Sequence, residues 1–303
     1  MKHIDVLVVG SINMDLNAQV AALPAPGQTV HTRRFSTAPG GKGANQAVAA
    51  ARLGFRVSMV GAVGTDEYGP VLSSGLAREG IAVDGVAAVD GPSGIALITI
   101  EEGGQNTIVV VPGANGDVSL ETLRRHDRSF DEAAVVLLQL EIPMEVASAA
   151  LRRGRAAGAV TILNPAPAYA LSDDLLTTVD VLTPNETEAE AITGEADPEA
   201  AARQLLGRGV NAVVITLGEH GALLADRGGV KRFAPRRVEA VDATAAGDAF
   251  NGALAGRLAR GDSVEEAVPF AMAAGTCAVT KLGAQPSLPS AAELAAFRDA
   301  RTP

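Results

Sequence analysis

The chain has 303 residues, 47% of them hydrophobic and 20% charged, with a formal net charge of −10; this is a folded globular composition, and its negative balance argues against affinity drawn from a nucleic-acid backbone. Short arginine runs at 152–155 and 236–237 read as solvated faces, and Cys277, the single cysteine, sits in an apolar helical pattern with no partner for an internal disulfide. The opening MKHIDVLVVG is too short an apolar run for a leader and carries Asp5, and no later segment reaches spanning length, so a soluble cytoplasmic protein that binds neither membrane nor nucleic acid is expected.

IDVLVV (4–9) reads as a buried strand. It ends in GSINMD (10–15), where Asn13 and Asp15 offer an amide and a carboxylate to a polyol, or simply make a turn. Residues 16–36 are extended with no helical pattern. PGGKGANQA (39–47) is a glycine turn opening the helix ANQAVAAARLG (44–54). It is no nucleotide P-loop, because Lys42 is followed by Gly43 rather than Ser or Thr, but such a turn lets backbone approach a small polar substrate, with Asn45 reaching in. A plain tight turn is the alternative.

VSMVGAV (57–63) is the next strand, and SGIALITIEEGGQNTIVVVPG (93–113) alternates around Gly-Gly as a hairpin does. AVVLLQL (134–140) leads to Glu141 and then to the helix MEVASAALRRGRAAG (144–158). VTILNP (160–165) and VDVLTPN (179–185) are further strands. In TPNETE (183–188), Asn185 and Glu188 stand three apart at a helix start, a spacing that serves either a capping box or water around magnesium and phosphate. The helix PEAAARQLLGRG (198–209) precedes AVVITLG (212–218), and in TLGEHGA (216–222) Thr216 and two glycines suit phosphate binding, with His220 an exposed turn residue. DATAAGDAF (242–250) runs into the helix AFNGALAGRLARG (249–261), so Asp248 either caps that helix or stands beside an anion site built from small residues.

The alternation of buried strands and alanine-rich helices predicts α/β architecture: a doubly wound, mainly parallel sheet flanked by helices, with ligands beyond the carboxyl ends of the strands. One domain is expected over 1–303, with 16–36 and 93–113 forming a small β lid or, alternatively, an ordinary edge hairpin.

GGKGANQA and DATAAGDAFNGAL resemble the two signature segments of the ribokinase-like carbohydrate kinases. GSINMD, TPNETE, TLGEHGA and KLGAQPSLP (281–289) are similar to that family's segments in order and separation, over essentially the whole chain. The resemblance implies ATP-dependent phosphorylation of a sugar, D-ribose at its 5-hydroxyl first, with deoxyribose, a ketose or a nucleoside as alternatives and a non-catalytic sugar sensor as a rival of another class. It implies that Asn13, Asp15, Gly41, Lys42, Asn45, Glu141 and Asp248 line the sugar pocket, and that Asn185, Thr216, Gly218, Gly221 and Gly247 serve the nucleotide. Glu188 would act on magnesium-bound phosphates, Ala245, Ala246 and Gly247 would form the anion hole, and Asp248 would be the catalytic base. The resemblance also implies a potassium site of Asp242, the carbonyls of Thr244, Ala278, Lys281 and Gly283, and the side chain of Ser287. ALITI (96–100) and TIVVV (107–111) are too apolar to leave in water, which predicts a homodimer packed lid on lid. Two departures stand out: Ala243 where the family usually has Thr, and Met272, near the expected adenine site, where some relatives carry His.

Overall fold

The computed structural model describes residues 2–103 and 105–300. Its strands in chain order are β1 (Ile4–Val9), β2 (Asn13–Val20), β3 (Arg34–Gly40), β4 (Val57–Gly64), β5 (Ala82–Val89), β6 (Gly94–Glu101), β7 (Asn106–Val111), β8 (Ala133–Leu138), β9 (Val160–Leu163), β10 (Val181–Leu182), β11 (Ala212–Thr216), β12 (Ala222–Asp226) and β13 (Gly229–Phe233). Nine of them form one sheet in the order β13-β12-β11-β10-β9-β8-β1-β4-β5. Every neighbour from β11 to β5 pairs in parallel, and only β12 runs against the rest.

The strands read as continuous apolar runs because helices cover both faces. Val6, Val8, Val135 and Leu137 point into one core with the helices Lys42–Arg52, Ala246–Ala259 and Val264–Ala278; Leu7, Val9, Val136 and Leu138 point into the other with Met144–Ala156 and Pro198–Gly207. The doubly wound, mainly parallel α/β fold expected from the sequence is therefore the fold observed.

Several boundaries differ. The strand in VDVLTPN is only Val181–Leu182; the Thr183 amide still donates to the Leu163 carbonyl, but Pro184 has no N–H with which to extend the ladder. The first helix starts at Lys42, two residues earlier than its alanine-rich pattern suggests. Of residues 16–36, only the two ends are strand, and 21–33 is irregular.

The remaining strands make a separate four-stranded sheet, β3-β2-β6-β7. It grows from the carboxyl edge of the main sheet: β2 begins four residues after β1 ends, and β6 begins beside Ser93, whose hydroxyl accepts the Gly64 amide from the end of β4. The hairpin β6–β7 is antiparallel, and Gly104 in its expected Gly-Gly turn lies outside the described residues. Phe35, Ile108, Val109 and Val110 stand exposed on this sheet.

Candidate active site

The loops at the carboxyl ends of β1, β8, β9 and β10 meet the helices Lys42–Arg52 and Ala246–Ala259, and glycine permits the approach. A Cβ on Gly40 would lie 2.2 Å from an Asp15 carboxylate oxygen, and one on Gly41, which has φ 88, would lie 2.7 Å from the Asn13 amide. GSINMD and PGGKG are thus pressed together, and Asp15, Lys42, Glu141 and Asp248 gather around that junction.

Asn13 is buried, and its Oδ1 accepts from Asn115 Nδ2 at 2.7 Å, leaving its own Nδ2 as the donor on offer. Asn115 also pins the Ile12 backbone through N–H and C=O. Lys42 Nζ lies 3.7 Å from Glu141 Oε1, while Glu141 Oε2 accepts from the Ser11 hydroxyl at 2.5 Å and the Lys42 amide at 3.2 Å. Burial, reinforced by the negative charge of Glu141 and Asp248, pushes the Asp15 carboxyl up to about 7. Burial works to lower the Lys42 ammonium, but Glu141, Asp248 and Glu188 outweigh it and hold it above its ordinary value.

Asp248 is the third residue of the helix Ala246–Ala259, and it does not cap it. Its Oδ2 accepts from Asn45 Nδ2 at 2.9 Å and its Oδ1 from Gln46 Nε2 at 3.0 Å, both from the helix Lys42–Arg52. Burial raises its carboxyl above the usual range against the pull of Lys42, Gln46 and Asn45. Asn45 Oδ1 is buried and has no partner among the described residues, an unpaired acceptor next to the Asp248 carboxylate. The helix begins at Ala245, the only non-glycine described residue with positive φ, at 60°, and no side chain caps it. A left-handed alanine costs about 1–2 kcal/mol and persists where its surroundings impose it. Ala245, Ala246 and Gly247 thereby present an uncapped helix N-terminus beside a carboxylate, the arrangement an oxyanion needs.

Asn185 and Glu188 form a full capping box at the helix Glu186–Thr193: Asn185 Oδ1 accepts the Glu188 amide at 2.8 Å and Glu188 Oε2 accepts the Asn185 amide at 2.9 Å. Burial raises the Glu188 carboxyl, opposed by the Asn185 amide and by Lys42. An isolated parallel bridge joins Asn185 to Thr216, bringing in Gly218 and Gly221, while His220 is exposed. Met272 lines a cavity of about 160 Å³ with Phe233, Arg236 and Thr276. Asp242 accepts the Thr244 amide and hydroxyl and the Gly283 amide, and Ser287 is buried with its hydroxyl on the Ala284 carbonyl, so the segments 242–244 and 281–287 adjoin.

Residues that the sequence does not single out support this cluster. Gln46, Gln139, Asn164, Thr183 and Asn251 form a buried polar chain behind Asp248, and Asn115 stands behind Asn13. Gln139, Asn164 and Thr183 follow the ends of apolar strands, where they look the same as turn chemistry, and Gln46 and Asn251 are polar residues on otherwise apolar helices.

The pfkB family of carbohydrate kinases is matched over residues 3–291. A ribokinase of Haemophilus influenzae is 38% identical over 296 residues, or 96% of this chain and 97% of its own. The crystal structure of Thermotoga maritima ribokinase superposes with a TM-score of 0.92 at 39% identity, covering 97% of this chain and 99% of that one. Arabidopsis thaliana ribokinase complexed with ribose and ATP gives a TM-score of 0.89 at 31% identity, over 98% and 99% of the two chains.

Proposed function

The chain belongs to the pfkB family of carbohydrate kinases, and from that membership we propose that it transfers the terminal phosphoryl group of ATP to the 5-hydroxyl of D-ribose. The observation that carries the reading is the Asp248 carboxylate, held by Asn45 and Gln46 at an uncapped helix start and facing Lys42. Phosphoryl transfer needs positioning and charge stabilisation more than covalent help. Asn13 donates and Asn45 and Asp15 accept, which places a polyol; Asp248 takes the proton of the attacking hydroxyl; the amides that follow Ala245 receive charge developing on the phosphoryl oxygens.

The nucleotide is assigned to Asn185, Thr216, Gly218, Gly221 and Gly247, with the cavity at Met272 for its base. The described residues hold no cluster of three or more His, Cys, Asp or Glu side chains that would cage a metal, which fits a magnesium ion bound mainly through substrate phosphates and water, with Glu188 its nearby carboxylate. Bound there, magnesium would neutralise phosphate charge. One carboxylate, Asp242, beside the carbonyl-rich turn 281–287 fits a large singly charged ion, and we assign potassium to it with Thr244, Ala278, Lys281, Gly283 and Ser287; equal activity in potassium and tetramethylammonium would overturn that site.

We also assign the four-stranded sheet as a lid over the sugar, because Asn13 and Asp15 lie on β2 and Gly40 ends β3. Its exposed apolar residues, with Val109 60% and Phe35 59% exposed, suit a homodimer packed sheet on sheet; sedimentation as a monomer at micromolar concentration would refute it. No helix of the described residues is long and apolar enough to cross a membrane, and an ATP-consuming enzyme with one buried cysteine fits the cytoplasm.

The test is ADP release with ribose, 2-deoxyribose, a ketose and a nucleoside, with the product's phosphate position read by NMR. Ribose-dependent ADP and a 5-phosphate are expected. Another preferred acceptor would change the sugar, and ribose or nucleoside binding without any turnover would favour the sensor.

A further inference from the structure

Asp248 is held from behind as well as from its own helix. Gln46 is fully buried and gives its amide Nε2 to both Asp248 Oδ1 and Asn164 Oδ1, each at 3.0 Å. Its Oε1 accepts from Gln139 Nε2 at 2.6 Å. From Asn164 the chain continues: Nδ2 donates to the Thr183 carbonyl at 3.1 Å, the Thr183 hydroxyl to Asn251 Oδ1 at 2.6 Å, and Asn251 Nδ2 to the Gly247 carbonyl at 2.9 Å. The path therefore leaves the Asp248 carboxylate, crosses the ends of β9 and β10, and returns to the peptide that joins Gly247 to Asp248. Gln46, Gln139, Asn164, Thr183 and Asn251 are all buried, so water does not offer these groups substitute partners.

The direction of this chain is set at one end. An ionised carboxylate only accepts, so Gln46 must turn Nε2 toward Asp248, which turns its Oε1 toward Gln139 and obliges Gln139 to donate. Asn45 supplies the second donor to the carboxylate and comes from the pocket side, where a sugar would contact it. Gln46 has no exposed surface through which to touch a ligand.

We infer that Gln46, backed by Gln139, Asn164, Thr183 and Asn251, is a positioning residue that locks the Asp248 carboxylate in register with the peptides of the anion hole. The inference rests on the kinase reading. Turnover of the wild type tests that reading, whereas the ratio of variant to wild type tests this one.

Gln46→Met keeps length and volume but cannot donate. It should lower kcat by about tenfold to a hundredfold with KM for ribose unchanged, the loss typical when a supporting contact to a reacting group is removed. The acid limb of kcat against pH should move upward, because a donor to the ionised form is gone while the charged groups facing Asp248, namely Lys42, Glu141, Glu188 and Asp15, stay in place. In an Asp248→Asn background the same substitution should cost nothing further, since a residue that acts through another has no effect once that one is removed. Thr183→Val, nearly isosteric and two links further back, should show a smaller loss with the same dependence on Asp248, and it decides the matter by the same criteria if Gln46→Met does not fold. Wild-type kcat in the folded variant, or an equal loss with and without the Asp248 carboxylate, would overturn the proposal.

Discussion

Four described helix starts carry an acid three residues past the cap position, and the two beside the candidate site use it in opposite ways. At Glu186–Thr193, Asn185 and Glu188 satisfy each other's backbone amides and the end is closed. At Ala246–Ala259 the cap position is Ala245, strained at φ 60, no side chain closes the end, and Asp248 turns away to amides of another helix. A side-chain cap stabilises a helix start by about 1 kcal/mol, and the second start forgoes it and adds strain. The difference teaches that spacing alone does not identify a catalytic acid; the alanines before Asp248, which have nothing to cap with, carry the information.

The comparison breaks most visibly through Asp248→Asn. Loss of a general base costs ~10²–10⁴ in rate, so kcat should fall by that factor while ribose still binds; near-normal turnover would place Asp248 with Glu188 among the structural acids. Next in size is sugar choice. If Asp15 accepts from adjacent sugar hydroxyls, 2-deoxyribose leaves a buried acceptor unpaired, and kcat/KM should favour ribose by roughly tenfold to a hundredfold, a preference that shrinks in Asp15→Asn.

A pH dependence follows from the same carboxyl, which sits at about 7. Below that value it is protonated and a poorer acceptor, so ribose affinity measured by calorimetry should fall by up to about tenfold per pH unit and level off in Asp15→Asn. For the fold the sign is reversed: a raised carboxyl favours the folded state at low pH, and that contribution is lost as pH climbs from about 4 to about 7. The smallest expected effect belongs to the closed helix start. Asn185→Ala should lower the unfolding free energy by about 1 kcal/mol in chemical denaturation, and an unchanged midpoint would mean the capping box contributes nothing.

Much of this was readable in the chain. The parallel strands showed because burial on both faces writes them as unbroken apolar runs, and the paired motifs around Asp15, Lys42 and Asp248 point to one edge once the sheet is parallel. β5 escapes the sequence reading because Asp84 and Gly85 interrupt its pattern, and of the helix Val264–Ala278, which holds Pro269, only the apolar pattern around Cys277 shows. The supporting amides were invisible for a different reason. Gln46 meets Asp248 across 202 residues of chain and Asn115 meets Asn13 across 102, so their function exists only in the assembled fold. Asn185 and Glu188 offer either a capping box or a magnesium site by their spacing; the box is present, and because it engages only Glu188 Oε2 it is compatible with the proposed place of that carboxylate beside magnesium.

The most direct test measures thermal unfolding and ribose-dependent turnover on the same preparations of Asp248→Asn and Asn185→Ala. The Asp248 carboxylate is a desolvated charge, and Asn45 can turn its amide to suit a new neighbour, so Asp248→Asn should unfold at or above the wild-type temperature while its turnover collapses. Asn185→Ala should unfold at a lower temperature and lose far less turnover. If Asp248→Asn is the less stable variant and retains most of its activity, the two helix starts do not divide the labour between chemistry and structure as argued.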